Sequence, residues 1–170
     1  MKEKLILSVL VDNESGVLQR VASLFSRRNY NISSLTVSET GDENFSRMTI
    51  ETYTEPENFR QIKRQLAKLE IVKKVAELTD ESSVSSELLL VKVSAKGISK
   101  KNELLAFNVR YGARVLDVSL ETFTLEFTGA GATIDKFVEE LERDFGIVEL
   151  ARTGITSLVR GEGSFTDDVY

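Results

Sequence analysis

The first half of the chain shows a strict succession of hydrophobic patterns. Leu5 to Val11 is a nearly continuous apolar run, as expected of a strand covered on both faces or lying at an interface. From Gly16 to Arg28 the apolar positions Val17, Leu18, Val21, Leu24 and Phe25 take helical spacing. Arg27-Arg28 at the end of that segment complement the negative end of a helix dipole. Asn31 to Glu39, with Ile32, Leu35 and Val37, reads as a strand, and Thr40-Gly41-Asp42-Glu43-Asn44 as a turn. Arg47 to Thr54 alternates, setting Met48 and Ile50 against Arg47, Thr49 and Glu51. Thr54-Glu55-Pro56 opens a second helix, with Pro56 in its first turn and Phe59, Ile62, Leu66 and Leu69 on one face. Ile71 to Leu78 closes the unit as a strand, and the order is βαββαβ.

The same order then recurs. Thr79 to Ser86 is polar and serine-rich, so residues 80–86 are expected to be a linker. Leu88 to Val93 reads as a strand, Ser99 to Arg110 as a helix carrying Leu104, Leu105 and Val109, and Val115 to Leu120 as a strand. Phe123, Leu125 and Phe127 alternate in the next strand. Ile134, Phe137, Val138, Leu141 and Phe145 mark a helix, and Ile147 to Leu150 a last strand. The expected fold is α+β, with two tandem ferredoxin-like βαββαβ domains over residues 1–79 and 87–170.

Composition removes whole classes of chemistry. The net charge is −5 and no basic stripe interrupts it, which argues against nucleic-acid binding. With no cysteine, disulfides, thiolate nucleophiles and Cys-ligated zinc are excluded. The absence of histidine removes the usual general base near neutral pH and the commonest metal ligand. Met1-Lys2-Glu3-Lys4 lacks a signal-peptide layout and no apolar run reaches membrane-spanning length, so a cytoplasmic protein without membrane association is expected.

The junction Asn13-Glu14-Ser15-Gly16-Val17-Leu18 carries the most information. A strand that turns into a helix through glycine leaves the first helical N–H groups open to an anion, and Asn13 adds a donor and an acceptor beside them. The zwitterion of an α-amino acid would fit there. Equally, Asn13 or Ser15 would serve as an N-cap, and the loop alone favours capping. The matching junction in the second half, Ala95-Lys96-Gly97-Ile98-Ser99, keeps the glycine but has no asparagine. Gly129-Ala130-Gly131-Ala132-Thr133 lacks phosphate-loop spacing and reads as a tight turn with Thr133 as N-cap. Asp12 with Glu14, and Asp42 with Glu43, are too few oxygens for a metal site. Glu139, Glu140, Glu142 and Asp144 read as a helix's charged face; Lys63, Arg64 and Lys68 read as another, or as one edge of a protein contact. Nothing in these patterns is catalytic.

Three runs carry a family resemblance: Leu7 to Leu18, Leu24 to Val37, and Ser46-Arg47-Met48-Thr49-Ile50. Together with Leu89 to Val93 and Glu149-Leu150-Ala151-Arg152-Thr153-Gly154, they resemble the regulatory small subunit of acetolactate synthase (acetohydroxyacid synthase) over essentially the whole chain. Asn29 departs from the family's frequent glycine, and the tail after Gly163 is individual. The resemblance implies an N-terminal ACT domain and a C-terminal ferredoxin-like domain. It further implies a homodimer without catalytic residues, metal or cofactor of its own. Such a subunit activates a large catalytic subunit holding thiamine diphosphate, Mg and FAD, in branched-chain amino acid (valine, leucine, isoleucine) biosynthesis. It confers feedback inhibition by a branched-chain amino acid effector, valine above all. The implied effector site joins Asn13, Gly16, Val17 and Leu18 of one chain to Asn31 and Ile32 of its neighbour. A stand-alone ACT-type amino-acid sensor acting on another enzyme or regulator is the alternative.

Overall fold

The computed structural model describes residues 1–166. In chain order the elements are β1 (Glu3–Asp12), α1 (Val17–Ser26), β2 (Ile32–Glu39), β3 (Phe45–Thr54), α2 (Pro56–Leu66) and β4 (Val72–Leu78). Then follow β5 (Ser83–Ser94), α3 (Gly97–Tyr111), β6 (Arg114–Val118), β7 (Thr122–Gly129), α4 (Gly131–Asp144), β8 (Ile147–Arg152) and β9 (Thr156–Val159). The chain divides into two compact units. One holds Met1–Ser85 with the described residues from Ile155 on, and the other Ser86–Gly154.

In the first unit the antiparallel sheet runs β2-β3-β1-β4. Successive side chains leave a strand on opposite faces. Leu5, Leu7, Val9 and Val11 of β1 therefore share a core with Val17, Val21 and Phe25 of α1 and Ile62 and Leu66 of α2. Pro56 takes the first turn of α2, where its missing N–H costs nothing. On the opposite face, Ile6 and Leu78 meet Ile155, with Val159 packed alongside. Phe165 is buried too, its ring 5.0 Å from the Arg47 guanidinium and 5.7 Å from the Lys74 ammonium. Of the two readings of the apolar run of β1, cover on both faces is the one the fold realises.

The second unit repeats the plan with the order β6-β7-β5-β8. Leu89, Val91 and Val93 of β5 and Phe123, Leu125 and Phe127 of β7 face α3 and α4. Phe107, Phe127, Phe137 and Tyr111 form an aromatic cluster, with centroids of neighbouring rings 4.6–5.9 Å apart. The other face of this sheet is mixed, with the exposed Leu90 beside the ion pairs Lys92–Glu149 (3.0 Å) and Arg114–Glu126 (2.7 Å).

Several element ends shift by one or a few residues from those the pattern predicts, and the linker, the second domain and the last strand differ more. Of the expected linker 80–86, only the start is a turn: Ser83 to Ser86 already belong to β5. Serines suit this strand because their hydroxyls find partners. Ser83 Oγ donates to Thr79 O (2.7 Å), and the Ser85 and Ser157 hydroxyls are hydrogen-bonded to each other (2.6 Å). The expected C-terminal domain, 87–170, loses its last described residues, because Ile155 and Phe165 fill the open face of the first sheet. β9 is an additional strand, anchored by Arg160 N donating to Ser82 O at 2.9 Å. Residues 167–170 of the expected domain lie outside the described residues.

Candidate functional site

Gly16 stands in the left-handed region (φ +85°) and is itself the N-cap of α1, with no side chain capping the helix. The expected cap from Asn13 or Ser15 is therefore absent. Asn13 is committed elsewhere: its Nδ2 donates to Glu39 Oε1 (3.2 Å) and to Glu43 O (2.9 Å). Its Oδ1 accepts from Ser46 Oγ (2.9 Å), and its main-chain N–H donates to Asn44 O (2.8 Å). One side chain thus ties the end of β1 to the β2–β3 hairpin. The amides of Leu18 and Gln19, in the first turn of α1, have no acceptor among the described residues. They sit at the positive end of the helix dipole, where a carboxylate is favoured.

The remaining residues expected at the site are dispersed within one chain. Val17 is 4% exposed and belongs to the core, so it cannot wall a ligand, whereas Leu18 is 46% exposed on the outside of α1. Ile32 is half-buried against the same core. Asn31 is exposed, its carbonyl accepts from Thr52 Oγ1 (2.6 Å), and its side chain has no partner among the described residues. Along the sheet, Ile32 pairs with Thr52 while Glu39, bonded to Asn13, pairs with Ser46. At about 3.4 Å per residue those six steps on β3 span about 20 Å. Asn31 and Asn13 of one chain therefore lie at opposite ends of the sheet, too far apart to hold one amino acid.

Two residues join the junction that motif reading overlooked, Glu39 and Ser46. Glu39 sets a carboxylate against the Asn13 amide, and the buried Ser46 donates to the Asn13 oxygen from the other side. The only sequence signal was the turn Thr40 to Asn44, which brings the end of β2 and the start of β3 together. Other candidates are occupied. Asp12 pairs with Lys73 (2.8 Å), Asp42 Oδ1 accepts from Asn44 N (2.9 Å), and Lys63, expected on a solvated face, pairs with Glu77.

The junction of the second half uses the same turn, with Gly97 at φ +82°, but Lys96 pairs outward with Glu121 at 3.4 Å. Nor is Thr133 an N-cap: Ala130 holds that position and Thr133 lies inside α4. The glycine at 131 has a packing cause. A Cβ there would stand 2.8 Å from Glu87 Oε1. Glu87 is buried and held by Arg152, whose guanidinium also donates to Asp135 Oδ1 (2.6 Å) and to Gly131 O (3.4 Å).

Residues 7–74 match the family model described as an AHAS small subunit-like ACT domain. Residues 86–161 match that of the small subunit of acetolactate synthase. The chain belongs to the acetolactate synthase small-subunit family. Among its relatives, the acetolactate synthase isozyme 3 small subunit of Escherichia coli K12 is 41% identical over 157 residues, covering 92% of this chain and 96% of the relative. The acetolactate synthase small subunit of Mycobacterium bovis is 47% identical over 155 residues, covering 91% of each. The crystal structure of the acetolactate synthase small subunit from Thermotoga maritima superposes with a TM-score of 0.85 at 34% identity, covering 95% of this chain and 99% of that one. Within this family the uncapped junction falls inside the ACT segment. Asn29 has φ +59°, a conformation asparagine tolerates better than other non-glycine residues.

Proposed function

We propose that this chain is the regulatory subunit of acetolactate synthase: it dimerises, activates a large catalytic subunit and transmits feedback inhibition by a branched-chain amino acid, with valine the leading candidate. Family membership supports the partnership. One observation carries the effector site: an uncapped helix start at Gly16 and an Asn31 side chain with no partner among the described residues lie at opposite ends of the edge strand β2. An edge strand presents unpaired backbone groups to a second strand. If two β2 edges pair antiparallel about a two-fold axis, the start of one comes beside the end of the other. Asn31 and Ile32 of one protomer then face Asn13, Glu39 and the Leu18 amide of its partner. The amides take the effector's carboxylate, Glu39 and the asparagines take its ammonium, and Leu18 with Ile32 covers the side chain.

Magnitudes suit a metabolite sensor. Burying a valine side chain supplies roughly 1.5–3 kcal/mol, and millimolar affinity corresponds to about 4 kcal/mol. An effector that binds one dimer arrangement better shifts its population, and with it the activity of the docked enzyme. The chemistry on thiamine diphosphate, Mg and FAD belongs to the large subunit in this reading. Reconstitution tests it: the chain alone forms no acetolactate from pyruvate, its addition raises the large subunit's rate, and valine lowers that rate. Acetolactate formed by the isolated chain, or no stimulation at all, overturns the reading.

A further inference from the structure

On the solvent side of the first unit, α1 and α2 enclose an open cleft of about 600 Å³. Four cations line it, Arg20, Arg27, Arg28 and Lys68, and no carboxylate does. All four are exposed, and none enters an ion pair among the described residues. In a chain with 27 acidic and 22 basic residues, such a convergence of unpaired positive charge is uneven. Helix-dipole complementation accounts for part of it, since Arg27, Arg28 and Lys68 follow the ends of α1 and α2. It does not account for Arg20 in the middle of α1, nor for the aim of all four into one cleft.

We propose that this cleft is the docking surface for an acidic patch on a partner protein, and that the partner is the large catalytic subunit; this rests on the regulatory-subunit reading above. The walls favour a protein surface over a small anion. The amides of Arg27, Arg28, Ala67, Lys68 and Leu69 are all spent on carbonyls of their own helices, so no backbone cradle remains for a phosphate. The positive charge is carried by long, exposed side chains over a half-buried floor of Leu24 and Leu69. Charged rims of this kind steer association and make it salt-dependent. Gln19 lines one edge of the cleft whereas Asn13 and Leu18 do not, so docking and effector capture use adjoining surfaces that meet at the start of α1.

The test compares three chains, each with the purified large subunit, across a series of salt concentrations. The first is the wild type, the second R20Q/R27Q/K68Q, and the third a control, K96Q/K101Q/K136Q, which removes equal charge from the second unit. The expected result is an affinity for the large subunit about tenfold weaker in the cleft variant, with a flatter salt dependence, and little change in the control. Valine binding by the isolated cleft variant stays at the wild-type level, which also shows that it folds. Wild-type affinity and salt slope in the cleft variant overturn the proposal, as does equal weakening in the control. Saturable pyrophosphate binding that the cleft variant loses, while it keeps the large subunit, also overturns it in favour of a small-anion site. A wild-type chain that binds no large subunit at all sinks the regulatory-subunit reading itself.

Discussion

At the scale of single residues, Asn13 and Asn31 differ in a way that separates structure from ligand binding. Asn13 makes three side-chain hydrogen bonds within its own chain, whereas the Asn31 side chain makes none among the described residues. Asn31→Ala is therefore expected to leave the thermal midpoint unchanged while weakening valine binding by roughly 1–3 kcal/mol in calorimetry. Asn13→Ala is expected to lose both stability and binding. Mixed dimers carrying one substitution per protomer should regain one intact site of two. No binding in such mixtures rules out a site shared between the Asn13 of one protomer and the Asn31 of the other. Gly16→Asp acts differently. No atom lies within 4 Å of a Cβ built there, so the cost is that of a left-handed backbone, about 1 kcal/mol. The new carboxylate occupies the open amides, so the variant is expected to fold and to activate the large subunit while valine inhibition is largely lost. Wild-type valine sensitivity in the reconstituted enzyme would move the pocket elsewhere.

Among the elements, the start of α4 shows how a turn is decided by what packs behind it. Glycine at 131 leaves room for Glu87, and Arg152 neutralises that buried carboxylate while joining β5, β8 and α4. Breaking one partner of a buried pair leaves an uncompensated charge, so Arg152→Met is expected to cost about 3 kcal/mol in urea unfolding. Adding Glu87→Gln should recover much of that loss. If the double variant is no more stable than Arg152→Met alone, the ion pair is not the cause.

For the whole molecule, the returning C-terminal segment is the main determinant of how the first sheet is finished. Ile155 meets Ile6 and Leu78, and Phe165 lies beneath Arg47 and Lys74. Phe165→Ala is expected to destabilise the first unit by roughly 3 kcal/mol, through lost burial and lost cation–π contact. Truncation after Gly154 should expose the face of Ile6 and Leu78 and raise binding of an apolar dye. An unchanged unfolding midpoint in both variants would show that the segment contributes no stability.

Element type and order were legible in the sequence because periodicity is local: Leu5 to Val11, the helical stripe Val17-Val21-Phe25 and the alternation of Phe123, Leu125 and Phe127 each report the face they bury. The glycines of the β1–α1 and β5–α3 junctions were equally plain, since a left-handed turn leaves few other choices. What the chain does with those junctions was not local. Asn13 had three partners available only after β2 and β3 folded back beside β1, and that competition left α1 uncapped. Val17 went to the core and Leu18 to solvent because packing against β1 set the rotation of α1. The serines of 83–86 became strand, and the residues from Ile155 on joined the first unit, because an open apolar sheet face needed cover that no nearby segment supplied.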